Sequence, residues 1–382
     1  MAVQLNGRAS FKKVIIISTQ CFFPKIGGIE SLMTGMAEGL AEYGKEVFVV
    51  ADGKVQPSDK EQLYKIKRFN NWKPIRRVQK ALFIKKICKQ NKIEAIYSDS
   101  WKSVEYLRGA CERIFVLAHG TEIPKKSAQR SLRNRLKRYR VKNTFKFATK
   151  IIGSSSYTKE LLHASLSIDK NKIIVIHPGV DVYKKEIKQS DVDKIQLLMK
   201  GADPLIITLA RVEERKGHLY VLKAMKKLED KYPNIQYAIA GDGPFKDELV
   251  KITEELSLSK KVKFLSWVTE PEKSVLLKRS DLFVMVPTLV GESIEGFGMS
   301  YIDAAFHGIA CLGADSGGVD NAIINGKTGL LAKSEDLDDI TSKLELLLDD
   351  KELRLKLGNN GKDLAKMKFG WKNKAKEYLS VI

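Results

Sequence analysis

The chain has 382 residues, a formal net charge of +21 at pH 7 and 43% hydrophobic residues, a length that predicts two or three domains with cores of their own. No apolar run approaches the ~18 residues of a spanning helix, and residues 1–13 lack the apolar stretch of a secretory signal. The four cysteines lie far apart without C-x-x-C spacing, which argues against a zinc site or disulfide framework and favours a reducing, cytosolic setting.

The first half of the chain alternates short apolar runs with helical stretches. KVIIIST at 13–19 is branched, apolar and too short for a helix, so it predicts a buried strand. The turn FFPKIGGIES, a helix ending near Gly44 and the strand EVFVVAD follow, and later strand-like runs are AIYSDS, RIFVLAHG, KIIGSSSY and KIIVIHPGV. This alternation predicts a parallel sheet with helices on both faces.

The positive charge is concentrated within residues 54–150, which contain 27 Lys/Arg against 7 Asp/Glu. Its densest part, 124–150, has eleven basic residues and no acidic one. Helical numbering separates Leu132 and Leu136 from a cationic side, which predicts an amphipathic helix on an anionic membrane surface. The membrane- or acceptor-contacting cations predicted here are Arg130, Arg133, Lys137, Arg138 and Arg140. A phosphorylated acceptor and a nucleic acid are the alternative anionic partners for this segment.

The strand pattern then restarts. DPLIITLARV at 203–212 predicts a new first strand, and IQYAIAGDGP, KVKFLSWV, DLFVMVP and IACLGAD follow between helix-like segments. We therefore predict an α/β protein with two doubly wound, Rossmann-like domains at 1–185 and 186–362. The remaining residues, 363–382, are predicted to form an amphipathic helix that packs back on the first domain.

Polar and glycine-rich clusters follow strands in both predicted domains. Gly27-Gly28 and His119 follow strands of the first domain, and the segments 211–217, 241–244 and 291–299 follow strands of the second. Ligands of open α/β sheets bind beyond the carboxyl ends of the strands. The positions of these clusters therefore predict one ligand cleft between the two domains.

Two chemical groups of a ligand are indicated by these clusters. Arg211 and Lys216 combine a planar fork with a mobile point charge, which suits a diphosphate. A cation at a helix start opposes the helix dipole, so its presence there favours a role in binding. Glu295 offers a carboxylate for sugar hydroxyls. The backbone N–H groups of residues 297–299 open the next predicted helix and suit phosphate oxygens.

The ordered motifs resemble the retaining glycosyltransferases of family 4, which have the GT-B fold. EGFGMSYIDA at 295–304 resembles a signature with two glutamates separated by seven residues, except that Asp303 replaces the second glutamate. FFPKIGGIES resembles the family's glycine loop, AHGTE its sugar-facing histidine, HPGVD its linker and ARVEERKGH its R-x-x-x-x-K-G segment. The nearest resemblance is to phosphatidylinositol mannosyltransferases and related lipid glycosyltransferases, through PKIGGIE and EGFGMSY.

The resemblance implies a role for each matching position. The catalytic residues implied are His119, Arg211, Lys216 and Glu295. The donor-binding residues implied are Gly27, Gly28, Gly241, Trp267, Val268, Phe297, Gly298, Met299 and Asp303. Asp303 is expected at the ribose hydroxyls, where its shorter side chain has to approach more closely than a glutamate.

The implied reaction is hexosyl transfer from a UDP- or GDP-linked sugar to a lipid or lipid-linked saccharide at the cytoplasmic membrane surface. It is expected to retain the anomeric configuration and to need no divalent metal or cofactor, because the D-x-D acids Asp191 and Asp193 lie in a helical stretch rather than at a strand end. The alternatives are a GT-B sugar-nucleotide epimerase and a basic nucleic-acid-binding protein. No nucleic-acid fold accompanies the basic segment, so no nucleic-acid partner is expected. The sugar, the nucleotide, the acceptor and the oligomeric state stay open.

Overall fold

The computed structural model describes residues 13–120, 123–124, 132–181 and 186–382. Within these residues, seven parallel strands form the first sheet in the order β3-β2-β1-β4-β5-β6-β7. The strands are β1 (Val14–Thr19), β2 (Glu46–Asp52), β3 (Lys65–Phe69), β4 (Ile93–Ser98), β5 (Ile114–Ala118), β6 (Lys150–Gly153) and β7 (Ile173–Val175). The helices between them are α1 (Gly28–Glu42), α2 (Lys73–Gln90), α3 (Leu132–Phe147) and α4 (Ser156–Leu166).

Helices cover both faces of this sheet, which is why β1 and β5 are buried along their whole length. Helices α2, α3 and α4 contribute to the core on one face, for example through Ile84, Val141 and Leu162. Helix α1 contributes Met33 and Met36 to the core on the other face. Helices α2 and α3 therefore lie on the same side of the sheet.

The second sheet has six described strands in the order β10-β9-β8-β11-β12-β13. They are β8 (Leu205–Leu209), β9 (Gln236–Ala240), β10 (Val262–Ser266), β11 (Leu282–Val284), β12 (Cys311–Asp315) and β13 (Leu330–Lys333). The helices are α5 (Gln189–Leu198), α6 (His218–Leu228), α7 (Lys246–Glu255), α8 (Glu270–Arg279), α9 (Met299–Phe306), α10 (Leu337–Asp349) and α11 (Lys351–Lys368). Two Rossmann-like parallel sheets confirm the predicted fold class.

A final helix, α12 (Trp371–Ser380), returns to the first domain and packs against α1. The indole of Trp371 lies against Gly35, where a Cβ atom would collide with the ring, and Gly39 also lies close to Trp371. The Tyr97 hydroxyl on β4 donates a hydrogen bond to the backbone carbonyl of Tyr378. The sequence places the returning helix from residue 363, whereas in the structure residues up to Lys368 belong to α11 and the returning helix begins at Trp371.

Among the described helices, none is long and apolar enough to cross a membrane. All four cysteines lie within the described residues and carry free thiols. The D-x-D acids lie on α5, where Asp193 accepts a hydrogen bond from the amide of Gln189.

Candidate active site between the two domains

Loops that follow strands of the two sheets contact each other directly. The Asn321 side-chain oxygen accepts a hydrogen bond from the backbone N–H of Ser156, 2.9 Å away in the first domain. Gly296 lies against the backbone carbonyl of His119 so closely that a Cβ atom would collide with the oxygen. The carboxyl ends of both sheets therefore meet across one cleft, as the order of the motifs predicts.

A cluster of charged side chains lies on the second-domain side of this cleft. The Lys216 ammonium donates a hydrogen bond to Glu295 Oε2, and Arg215 Nη1 lies 3.1 Å from the same oxygen. The side chains of Lys216 and Glu295 are only 11% and 12% exposed. Burial by itself raises the pKa of Glu295, but Lys216 and Arg215 together hold that pKa below its ordinary value. Glu295 is therefore a carboxylate at neutral pH, able to accept hydrogen bonds.

Arg211 is placed differently from Lys216. Its side chain is 58% exposed, and its Nη1 lies 2.9 Å from Glu213 Oε1. The other oxygen of Glu213 lies 2.7 Å from Arg215 Nη2. The structure thus brings Lys216 directly to Glu295, whereas Arg211 reaches Glu295 only through Glu213 and Arg215.

Backbone geometry at Gly217 explains how Lys216 is presented. Gly217 has φ +77° and precedes α6, and a Cβ atom there would collide with the carbonyl oxygen of Val286, two residues after β11. A residue with a side chain would be strained by the positive φ and would also clash, so the turn requires glycine. The sharp turn keeps residue 216 beside the segment that follows β11, which carries Glu295.

Helix α9 begins at Met299, after Gly298 in the left-handed region at φ +90°. Its N-terminus faces the first domain, since the Met299 sulfur lies 3.8 Å from where a Cβ atom on Gly28 would stand. Gly27 and Gly28 open α1 on the opposite side. Two helix N-termini, both favourable to anions, therefore approach each other across the cleft.

The side chain of Phe297 does not face the cleft. It is 3% exposed, and its ring stacks on His177 of the linker with centroids 5.2 Å apart and also packs against Phe369. The backbone of residue 297 remains suited to a phosphate, as proposed from the sequence, while the phenyl ring fixes the loop to the linker. Burial, together with nearby cations, lowers the pKa of His177, so this stacked ring is neutral at pH 7.

Asp303 lies on α9 and accepts a hydrogen bond from Lys273 of α8 at 3.0 Å. Lys273 also lies 2.8 Å from Glu270, and both carboxylates raise its pKa against the effect of burial. The Asp303 side chain is only 17% exposed. Asp303 thus has a cation partner that sequence reasoning missed.

Three of the predicted donor-binding residues, Gly241, Trp267 and Val268, lie at the ends of β9 and β10. Gly241 donates its backbone N–H to the carbonyl of Ser266 at 2.6 Å, which joins the loops after β9 and β10. Trp267 is 45% exposed, so its indole offers a surface for stacking, whereas Val268 is partly buried against the core of the second domain. These positions lie at the carboxyl edge of the second sheet.

His119 follows β5, and its Nε2 lies 3.1 Å from the backbone carbonyl of Asp99. A carbonyl only accepts, so the hydrogen of this bond belongs to Nε2, and in the neutral ring Nδ1 is the acceptor nitrogen. The Asp99 carboxylate in turn accepts from the backbone N–H of Gln20 at 2.8 Å and from the Ser103 hydroxyl at 2.5 Å. Asp99 thus fixes the orientation of His119.

The described part of the basic segment differs from the predicted cationic face at Arg140 and exposes apolar side chains. Arg140 does not belong to a free cationic face, because it forms a bidentate pair with Glu105 at 2.5 and 2.7 Å and lies over the Trp101 ring. Arg138 is partly buried, Lys137 is half-buried and Arg133 is exposed, while Arg130 lies outside the described residues. The exposed apolar side chains of α3 are Leu132 at 81%, Leu136 at 59% and Tyr139 at 67%.

A second apolar surface, on and just before α2, was missed at the sequence level. Trp72, Ile75, Val78 and Leu82 are between 45% and 74% exposed. The spacing of Ile75, Val78 and Leu82 is itself a sequence signal, since these positions share one helix face. Helices α2 and α3 follow β3 and β5 and therefore begin at the carboxyl edge of the sheet. Trp72 and Leu132, at the starts of the two helices, are therefore exposed near that edge.

Comparison with known proteins identifies both domains. Residues 26–184 match the model of Glycosyltransferase Family 4, and residues 189–364 match that of Glycosyl transferases group 1. The chain is 26% identical over 184 residues to the GDP-mannose-dependent alpha-(1-6)-phosphatidylinositol monomannoside mannosyltransferase of Mycolicibacterium smegmatis, covering 48% of each chain. It is 25% identical over 229 residues to the trehalose synthase of Thermococcus litoralis, covering 56% of this chain and 54% of that enzyme. The matches span about half the length of these two relatives.

A solved structure matches the fold over almost the whole chain. The crystal structure of Anabaena Alr3699/HepE in complex with UDP has a TM-score of 0.76 at 18% identity, covering 97% of this chain and 100% of that one. Two adjoining family models on two facing Rossmann-like sheets account for nearly all of the described molecule. The chain therefore belongs to the family 4 glycosyltransferases of the GT-B fold.

Proposed function

We propose that the protein transfers a hexosyl group from a UDP- or GDP-linked sugar to a lipid or lipid-linked saccharide, with retention of configuration. The observation that carries the proposal is the contact between Lys216 and Glu295 at the cleft. It places a carboxylate that suits sugar hydroxyls beside a cation that suits the diphosphate joined to that sugar. A nucleotide sugar is a ligand in which the sugar is bonded directly to the diphosphate.

The chemistry asked of these residues is mainly electrostatic. When the acceptor oxygen bonds to the anomeric carbon, the bond from that carbon to the diphosphate breaks, and negative charge builds on the departing phosphate. Lys216, Arg211 and the N-terminus of α9 would meet this charge without a divalent metal. In a front-face substitution, the acceptor proton passes to the departing phosphate oxygen, so the reaction needs no carboxylate nucleophile.

The exposed apolar surfaces support a lipid acceptor. Leu132 and Leu136 on α3, with Trp72 and Ile75 at the start of α2, are exposed on the first domain, which we propose binds the acceptor. Exposed arginines and lysines accompany them, which suits an anionic membrane surface at the cytoplasmic face. The name of the mycobacterial relative also specifies phosphatidylinositol monomannoside, a lipid, for that enzyme. The trehalose synthase relative favours the alternative of a soluble sugar acceptor.

A panel of nucleotide sugars tests the proposal. The protein is incubated with UDP-glucose, UDP-N-acetylglucosamine, UDP-glucuronate or GDP-mannose, with and without membrane lipid extract, and released nucleotide is measured. Nucleotide release that requires lipid supports the transferase with a lipid acceptor, and release that requires a soluble sugar supports the alternative acceptor. Conversion of the donor without any acceptor supports an epimerase or hydrolase. The anomeric configuration of the product, determined by NMR, tests retention.

Asp303→Ala is expected to raise the donor KM about tenfold and to lower kcat less, because hydrogen bonds to a charged group are worth ~1.5–3 kcal/mol and ribose contacts are made in both ground and transition states. Asp303→Glu should keep activity, since the longer carboxylate still reaches the ribose and Lys273. Steady-state kinetics across donor concentrations measure both effects. An inactive Asp303→Glu beside an active Asp303→Asn would assign this position to helix packing instead.

A further inference from the structure

We infer that Arg215 is a positioning residue that holds Glu295 in place for the transferred sugar while Lys216 binds the diphosphate. The inference rests on the proposed function, in which Glu295 accepts hydrogen bonds from sugar hydroxyls. It concerns a residue that lies between the two cations of the matched R-x-x-x-x-K-G segment and that has no role in that pattern.

The contacts of Arg215 carry the argument. Its guanidinium uses Nη1 for Glu295 Oε2 at 3.1 Å and Nη2 for Glu213 Oε2 at 2.7 Å. With a side chain only 16% exposed, Arg215 has little room to reach solvent or a ligand. A planar guanidinium held at two points by two carboxylates is fixed in direction, so it fixes the Glu295 oxygen that it contacts.

The cluster needs this second cation because Lys216 has two tasks. A lysine ammonium that turns toward a diphosphate gives up part of its hydrogen bonding to Glu295, and the carboxylate is too buried to be stabilised by water. Arg215 remains beside Glu295 in either arrangement, since Glu213 holds it from the other side. Glu295 thus stays ionised and aligned when the donor is bound.

Glu213 links the same arrangement to the exposed cation of the segment. Its two oxygens contact Arg211 at 2.9 Å and Arg215 at 2.7 Å. The order of contacts is Arg211, Glu213, Arg215, Glu295 and Lys216, so the charges alternate along the chain of contacts. The two diphosphate cations stand at its ends, and Arg215 stands at its centre.

The test compares binding of UDP with UDP-glucose, and of GDP with GDP-mannose, by isothermal titration calorimetry. Arg215→Gln should weaken binding of the accepted nucleotide sugar about 10- to 100-fold. Removing the partner that orients a binding group typically lowers affinity by this factor. Binding of the matching nucleoside diphosphate should change less than about twofold, because Arg215 acts on Glu295 and not on the diphosphate. Arg215→Lys should recover only part of the loss, because it restores the charge but not the planar guanidinium that contacts both carboxylates.

Matched variants separate the explanations. Glu295→Gln should reproduce the sugar-selective loss, and Lys223→Gln, which removes an exposed charge on α6, should leave both affinities unchanged. Equal loss of nucleoside diphosphate and nucleotide sugar in Arg215→Gln overturns the inference, since it indicates a diphosphate contact or a folding defect. Normal sugar binding by Arg215→Gln beside a defective Glu295→Gln also overturns it. A parent protein that binds none of the four ligands overturns the proposed function itself.

Discussion

Lys216→Ala is expected to lower kcat/KM about 100-fold, because losing one preorganised charge contact costs ~2–3 kcal/mol of transition-state stabilisation. Of the two cations proposed to bind the diphosphate, Lys216 and Arg211, Lys216 is the one that directly contacts Glu295, and the donor diphosphate is proposed to lie beside it. Arg211→Ala should have a smaller effect, because that side chain is 58% exposed and screened by solvent. Release of nucleotide from the accepted donor, measured over a range of concentrations, gives kcat/KM for both variants.

The melting temperature of each variant has to be measured beside its kinetics. The sequence places both cations at the cleft surface, where their loss would hardly affect folding, but Lys216 is largely buried against Glu295. Arg215 still neutralises Glu295 in Lys216→Ala, so we expect the variant to fold with a lowered melting temperature. Lys227→Ala is the matched control, since its ammonium pairs with Asp338 on the surface of the same domain. Turnover within twofold of the parent in both Lys216→Ala and Arg211→Ala would remove the diphosphate assignment.

The fold was predictable because strands buried on both faces leave a strong sequence pattern. VIIIST, EVFVVAD and IITLA are short, branched and apolar, and each is followed by a glycine or charged cluster. The restart of this pattern near residue 203 was enough to predict a second domain. The end of α11 was not predictable, because KMKFGWKNK continues an amphipathic pattern through the crossing between domains.

Side-chain pairing inside the site was less accessible to sequence reasoning. Motif order brought Lys216 and Glu295 to one cleft although 79 residues separate them. Nothing in residues 211–216 distinguishes the exposed Arg211 from the buried Arg215, since the difference arises from how the turn at Gly217 packs on Val286. Arg140 illustrates the same limit, because helical numbering assigns it a face while its partner Glu105 lies 35 residues away.

The side-chain exposures in the structure change the set of residues proposed to contact the membrane. Arg140 is held by Glu105, so it has little charge to offer a membrane. The exposed residues in the first half of α3 are instead a mixture of apolar and basic side chains, namely Leu132, Arg133, Arg135, Leu136 and Tyr139. The apolar face of α2 lies on the same side of the sheet, and both sets of side chains suit the boundary between headgroups and acyl chains.

We therefore expect replacement of Arg133, Arg135 and Lys137 by Gln to weaken binding to anionic liposomes by ~3 kcal/mol at low salt, at about 1 kcal/mol per cation. Adding Leu132→Ser and Leu136→Ser should abolish sedimentation with the liposomes, because each leucine loses ~1.5–3 kcal/mol of burial in the interface. Binding by the parent should decline as salt rises. Donor binding should be unchanged, since the nucleotide is proposed to lie in the other domain.

A control with the same loss of charge isolates the surface. Replacing the exposed lysines Lys223, Lys251 and Lys356 of the second domain by Gln lowers the net charge equally but should leave sedimentation intact. Equal losses in the two triple variants would mean that overall charge, rather than α3, drives binding. If the parent itself does not sediment with anionic liposomes at low salt, the peripheral-membrane proposal fails. The exposed leucines would then have to be explained by a soluble partner. The glycosyltransferase site would keep its assignment, because Lys216 and Glu295, on which it rests, lie in the second domain.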